Sequence, residues 1–169
     1  MEKITIKPAE PKNSQQLFNL HQTTLWEPDN LLEDVDKWDY DLSAEKANIS
    51  SHQKEKLPYL TAWIGNQIVG YALIDAGEYK KNQHVGAVEI FIRPEFRGQG
   101  LGKKLISALL KATQKNKTIK RIELEVWSNN QPALKLYQKI GFKIEGIRKR
   151  AYKINHHYID GIIMAKWLK

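Results

Sequence analysis

The chain has 169 residues, room for one domain with a sizeable core, and its 41% hydrophobic and 27% charged residues exclude a disordered composition. A formal net charge of +8 invites an anionic partner, while the lack of cysteine excludes a disulfide framework, a thiolate metal site and a cysteine nucleophile. No apolar run approaches the roughly 18 residues that span a bilayer, and Met1-Glu2-Lys3-Ile4-Thr5-Ile6 has no secretory apolar core, so a cytoplasmic protein is expected.

Ile4-Thr5-Ile6 alternates as a first strand, broken by Pro8 and Pro11. Asn13 or Ser14 then caps a helix on which Leu17, Leu20, His21 and Thr24 share a face. Trp26-Glu27-Pro28-Asp29-Asn30 is a break, and Leu31, Leu32, Val35 and Trp38 predict a short second helix with its acids outward. Ser43 with Lys46 to Lys56 predicts another helix. Tyr59 to Ile64 is rich in strand formers, and Gly65-Asn66-Gln67 turns it into a partner strand, Ile68 to Ile74.

A loop from Ala76 to Gln83 leads into a strand at Val85 to Ile92. Leu101, Leu105, Ala108, Leu109 and Ala112 then mark one face of a helix reaching Lys115. Arg121 to Trp127 alternates strictly, as a strand buried on one side does. Pro132 opens a helix that Gly141 stops after Ile140, and Phe142 to Arg150 with Gly161 to Lys166 make a closing pair of strands. No repeat or linker interrupts this order. The expectation is one α+β domain, residues 1–169, on a mixed central sheet.

The junction after Ile92 carries the chemistry. Gly98, Gly100 and Gly102 let the backbone adopt positive φ and approach a ligand closely, and a helix starting there aims N–H groups and its positive end at that space. That combination holds a phosphate or pyrophosphate. A P-loop is excluded, because Arg97 stands at its first glycine and Lys104 where a hydroxyl would meet magnesium. The dinucleotide fingerprint fails on glycine spacing, although Glu123 lies where its acidic residue would be sought. What fits is Arg97-x-x-Gly100-x-Gly102 after a strand ending Ile92-Arg93-Pro94.

That motif resembles the acetyl-coenzyme A loop of the GNAT superfamily of N-acetyltransferases. A second block, Leu124-Glu125-Val126 to Asn130, Ala133, Leu136-Tyr137 and Ile140-Gly141-Phe142, is similar to the superfamily's second motif. The two stand in the superfamily's order, and the resemblance covers residues 59–166 firmly. The tail from Gly146 to Met164 resembles the closing hairpin of the branch holding ribosomal-protein and other N-terminal acetyltransferases.

The resemblance implies a fold in which two central strands, Val85–Ile92 and Arg121–Val126, splay apart between flanking helices. It implies pantetheine contacts from the backbone of Ile90 and Ile92, with the N–H of Phe91 or Ile92 holding the thioester carbonyl. Arg97, Gly98, Gln99, Gly100, Leu101, Gly102 and Lys103 would take the pyrophosphate, and Asn130 would reach the pantetheine. Tyr137 would give the leaving thiolate its proton and border the coenzyme. The proton acceptor is left open between Glu125, Glu89 and a water chain. His84, His156 and His157 are more ordinary surface residues, and no metal is expected.

The acceptor is read from charge. Residues 27–45 hold eight acids, from Glu27 to Glu45, against the single Lys37, with Trp26, Trp38 and Tyr40 interleaved. Trp26, Glu27, Asp29 and Trp38 are therefore the expected acceptor contacts for a cationic amine, whether small or borne by a peptide. A second copy of the chain is left open as a partner. Two other readings stand beside acetyl transfer: a coenzyme-binding module without activity, and a basic nucleic-acid binder supported by charge alone.

Overall fold

The computed structural model describes residues 3–25, 39–154 and 156–168, with the backbone alone at residues 24 and 25. The expected helix through Leu31 and Trp38 lies outside the described residues. Among the described residues seven strands form one mixed sheet in the order β1-β2-β3-β4-β5-β7-β6, and four α-helices accompany it in an α+β fold. The chain gathers into two compact units, each from two stretches: Met1–Leu73 with Ile90–Ala112, and Ile74–Glu89 with Thr113–Lys169.

In the first unit, β1 (Ile4–Pro8) pairs antiparallel with β2 (Tyr59–Ile64), running from Ile4↔Ile64 to Pro8↔Leu60. Pro8 is the last residue of the strand, still paired with Leu60. β1 is at the sheet edge, where a residue without an N–H is tolerated. β2 returns through the Gly65 turn, at φ 55°, into β3 (Gln67–Ala76). Helix α1 (Ser14–Leu25) follows a 3-10 turn at Pro11–Asn13, where the Asn13 side chain accepts from the Glu10 N–H. Helix α2 (Leu42–Glu55) starts at Asp41, whose carboxylate accepts from the Ala44 N–H at 2.7 Å, and ends at Lys56 in the left-handed region. The helix thus starts one residue ahead of the expected Ser43. Leu17 and Leu20 of α1, Ile49 of α2, and Tyr59, Ile68, Tyr71, Leu73 and Phe91 of the strands form the core.

The second unit contains the paired part of β4 (Val85–Ile92), which runs parallel to β5 (Arg121–Trp127). Three pairs make that register: Val85↔Arg121, Gly86↔Ile122 and Ala87↔Glu123. Both strands continue past it. On its other side β5 pairs antiparallel along its whole length with β7 (His157–Trp167), and β7 pairs with β6 (Lys143–Ile154). Ile122, Leu124 and Val126 are buried while Arg121, Glu123 and Glu125 share the opposite face, as alternation requires. Gly86 is a close-packing position, since a Cβ there would stand 2.6 Å from the Ile74 Cγ2.

Helix α4 (Gln131–Lys139) has Asn130 as its N-cap, accepting from the Ala133 N–H at 3.2 Å, with Pro132 in the first turn. Gly141, at φ 95°, lies just past its end in the expected capping role. The closing strands are longer than expected, meeting at residues 154–157. Among the described residues, no helix is long and apolar enough to cross a membrane.

Candidate active site

In the first unit, β4 runs out at Ile92 into a short 3-10 turn, Pro94–Phe96, and the glycine loop. Gly98 and Gly100 adopt φ 72° and 79°, which a side chain rarely tolerates. A Cβ at either would meet nothing within 4 Å, so the loop presents open backbone. Helix α3 (Leu101–Thr113) begins with the Lys104 N–H donating to Gly100 C=O. The N–H groups of Leu101, Gly102 and Lys103 therefore precede the helical ladder and carry the positive end of the dipole. Leu101, Leu105, Ile106 and Leu109 are buried, which fixes the direction of the helix start.

The arginine of the motif is differently employed. Its own N–H donates to Pro94 C=O, and Nε donates to Ile92 C=O at 2.7 Å. Its guanidinium carbon lies 5.4 Å from the centre of the Phe91 ring. Arg97 thus ties the loop back to the end of β4. Gln99 turns inward likewise, its side-chain amide donating to Glu95 C=O. The glycines and the α3 N-terminus are the part of the loop that fits an anionic ligand such as a pyrophosphate.

The second unit holds Tyr137, Asn130, Glu125 and Glu89. Tyr137 is buried, with its ring edge on Phe142 at 5.6 Å, and burial pushes its phenol up to about 12. It therefore keeps its proton through the whole neutral range and is an acid in reserve. Asn130 spends its carbonyl oxygen on the α4 cap, leaving its amide N–H2 as the group with which to reach a ligand.

Glu125 has both oxygens engaged. One accepts from the Tyr152 hydroxyl at 2.6 Å and the other from Arg148 Nη1 at 2.9 Å. Tyr152 is pushed up by burial and by its bond to Glu125, and Arg148 is raised by the same carboxylate. Gly161 on β7 leaves the space this carboxylate fills. Glu89 is exposed on β4, and the Ala87↔Glu123 register sets it on the same side of the sheet as Glu125. His157 begins β7, while His156 sits at φ 68° in the turn before it. Trp26, Glu27, Asp29 and Trp38 lie outside the described residues.

One acid of the segment 27–45 faces inward. Glu45, counted with the seven others toward a cationic acceptor, is wholly buried in the first unit. It accepts from the hydroxyls of Tyr59 at 2.9 Å and Tyr40 at 3.1 Å, and pairs with His21 Nδ1 at 2.8 Å. The available signal was His21 lying on the same helical face as Leu17 and Leu20.

The family described as Acetyltransferase (GNAT) family matches residues 17–142. An L-amino acid N-acetyltransferase, AaaT, of Escherichia coli K12 is 32% identical over 107 residues, 63% of this chain and 66% of that protein. A spermine/spermidine N(1)-acetyltransferase of Bacillus subtilis 168 is 36% identical over 83 residues, 47% of this chain and 55% of that protein. The chain thus spans between half and two thirds of the curated relatives it matches. Among solved structures, a GNAT-family acetyltransferase from Streptococcus pneumoniae superposes with a TM-score of 0.92 at 28% identity, covering 98% of this chain and 100% of that one. The chain belongs to the acetyltransferase (GNAT) family.

Proposed function

We propose that this protein transfers the acetyl group of acetyl-coenzyme A to a primary amine by direct attack on the thioester. The observation that carries this reading is the end of β4: a strand running into two open positive-φ glycines and a helix N-terminus, in a member of an acetyltransferase family. The N–H groups of Gly98 to Lys103 are assigned to the pyrophosphate, and the backbone of Ile90 to Ile92 to the pantetheine and thioester. Arg97 is assigned the indirect task of holding that loop against β4.

The reaction needs a neutral amine, a stabilised oxyanion and a proton for the leaving thiolate. An N–H at Phe91 or Ile92 is assigned to the oxyanion, and the Tyr137 phenol, kept protonated by burial, to the thiolate. Glu125 and Glu89 are the carboxylates assigned to the base, Glu125 with one acceptor site on each oxygen already taken by Tyr152 and Arg148.

The acceptor class follows from chemistry shared by the relatives, whose names specify amino acids and polyamines. The acids of residues 27–45 favour a cationic amine. Thiol release should be followed with acetyl-coenzyme A and a panel of L-amino acids, polyamines, aminoglycosides and N-terminal peptides. Saturable thiol release with at least one amine is expected. Coenzyme binding with no release from any amine would replace the enzyme by a binding module, and a preference for acidic acceptors would overturn the role given to the acidic segment.

A further inference from the structure

Glu125 and Trp127 point to one face of β5, and that face continues across β7 onto β6. On it Gly161 of β7 lies directly between Trp127 of β5 and Arg148 of β6, in register with both. The glycine leaves a depression in the middle of that row, and the Glu125 carboxylate occupies the space a side chain there would need. From this position it meets two residues of β6. The Tyr152 hydroxyl donates to one oxygen at 2.6 Å, and Arg148 Nη1 donates to the other at 2.9 Å. The Trp127 and Tyr152 rings stand 5.3 Å apart beside this pair, tilted by 36°. All five residues belong to the second unit.

The hydrogen-bonding capacity left over is of two kinds. A carboxylate oxygen can accept more than one hydrogen bond, and among the described residues each Glu125 oxygen accepts one. Arg148 engages only Nη1, shared between Glu125 and the Tyr152 hydroxyl at 3.3 Å. Its Nε and Nη2 remain, the edge of a guanidinium that grips a carboxylate by two parallel bonds. The Arg148 side chain is 55% exposed and that of Glu125 27%, so neither is sealed in the core. A screened ion pair of this sort adds little to stability. It is, however, complementary to a molecule that carries a cation and an anion side by side. An α-amino acid has both on one carbon. An amine without the carboxylate would bring its positive charge beside the guanidinium and satisfy none of its donors, which is discrimination by repulsion.

We propose that the acceptor is a free α-amino acid, its ammonium group at Glu125, its carboxylate on the Nε–Nη2 edge of Arg148, and its side chain along Trp127 and Tyr152. This rests on the acetyl-transfer reading and narrows its acceptor class, the ammonium end being the cationic amine of that reading. Arg148 is the specificity-determining residue. A polyamine offers it no carboxylate, and a peptide N-terminus presents an uncharged amide at the same place.

The test uses the whole protein and compares L-amino acids, each beside the amine left when its carboxylate is removed, with transfer read as thiol release. The wild type should favour the amino acid in kcat/KM by about 10-fold or more. Arg148→Ala should lower kcat/KM for the amino acid about 10- to 100-fold, the scale of hydrogen bonds to a charged group, chiefly through KM. The matched amine should be unaffected or improved. Arg148→Lys keeps the charge without the fork and should fall between the two. Titration with acetyl-coenzyme A should give unchanged affinity for both variants and so report an intact fold.

Equal losses on amino acid and amine in Arg148→Ala would overturn the proposal, because a residue that only holds Glu125 in place affects every amine alike. So would a wild-type preference for polyamines, N-terminal peptides or the matched amines, with acetyl transfer itself left standing. If Arg148→Ala fails to bind coenzyme, Arg148→Lys decides on the same ratio. A wild-type protein that binds coenzyme but acetylates no amine overturns the transfer reading itself, a failure visible without any variant.

Discussion

Glu125 and Tyr137 occupy motif positions of equal standing in the sequence, yet their surroundings differ in kind. Tyr137 lies among apolar neighbours, and its protonation follows from burial alone. Glu125 lies on the solvated face of β5, tied to Arg148 and Tyr152. Those partners stand more than twenty residues later in the chain, and the space for the carboxylate exists because residue 161 is glycine. Gly161→Ala would put a methyl group where the Glu125 carboxylate lies. The expected result is a loss of about 1–3 kcal/mol in denaturant unfolding, the usual scale of overpacking. Arg148→Ala, which removes a solvent-screened pair, should cost clearly less in the same measurement. If the two costs came out equal, the close approach at Gly161 would not be what constrains this corner.

At the level of elements, Asn130 separates two roles that sequence alone leaves merged. Its carbonyl oxygen caps α4, so Asn130→Ala should cost about 1 kcal/mol of stability, while Asn130→Asp, an equally good cap, should cost little. Only the asparagine has an amide N–H2 to offer a ligand. A raised KM for acetyl-coenzyme A in Asn130→Asp, with the melting temperature held, would therefore report the pantetheine contact by itself. In the loop, Gly100→Ala meets no steric obstacle but must hold φ near 79°, a conformation costing an alanine roughly 1–2 kcal/mol. Coenzyme affinity should fall by about the corresponding factor of ten, read by titration.

Where the sequence was legible at this scale, one face of the element is buried. β5 and α3 alternate or repeat against a core, and their ends fall within two residues of expectation. β6 is the outermost strand, exposed through Arg150 but for Gly146, and its last four residues carry no strict alternation of buried and exposed positions. No cap was singled out for α2 because Asp41 reads as one more acid in an acidic run. Glu45 was missed for the same reason. Charge counted along a chain says nothing of which carboxylate folds inward to meet two tyrosines and a histidine.

For the molecule as a whole, these titrating groups set the pH range of stability from opposite sides. Arg121 bonded to Glu145 holds that carboxyl below its ordinary range, and Lys149 with the Arg150 N–H does the same for Asp160. Their contributions are present above the ordinary carboxylate range and are lost as pH falls through the lowered values. Glu145 is exposed and Asp160 only half-buried, so this acid limb should be shallow and should flatten further in salt. The alkaline limb is steeper. Tyr137, raised to about 12, keeps its proton in the folded chain while the unfolded chain releases it near 10. Over that interval the folded state binds more protons, so stability falls as pH rises, by roughly 2–3 kcal/mol across the two units. Between pH 8.5 and 11.5 the denaturant midpoint of the wild type should therefore fall further than that of Tyr137→Phe, because the phenylalanine has no proton to release. Midpoints that stay parallel would mean the Tyr137 phenol titrates alike in both states and is not held by burial.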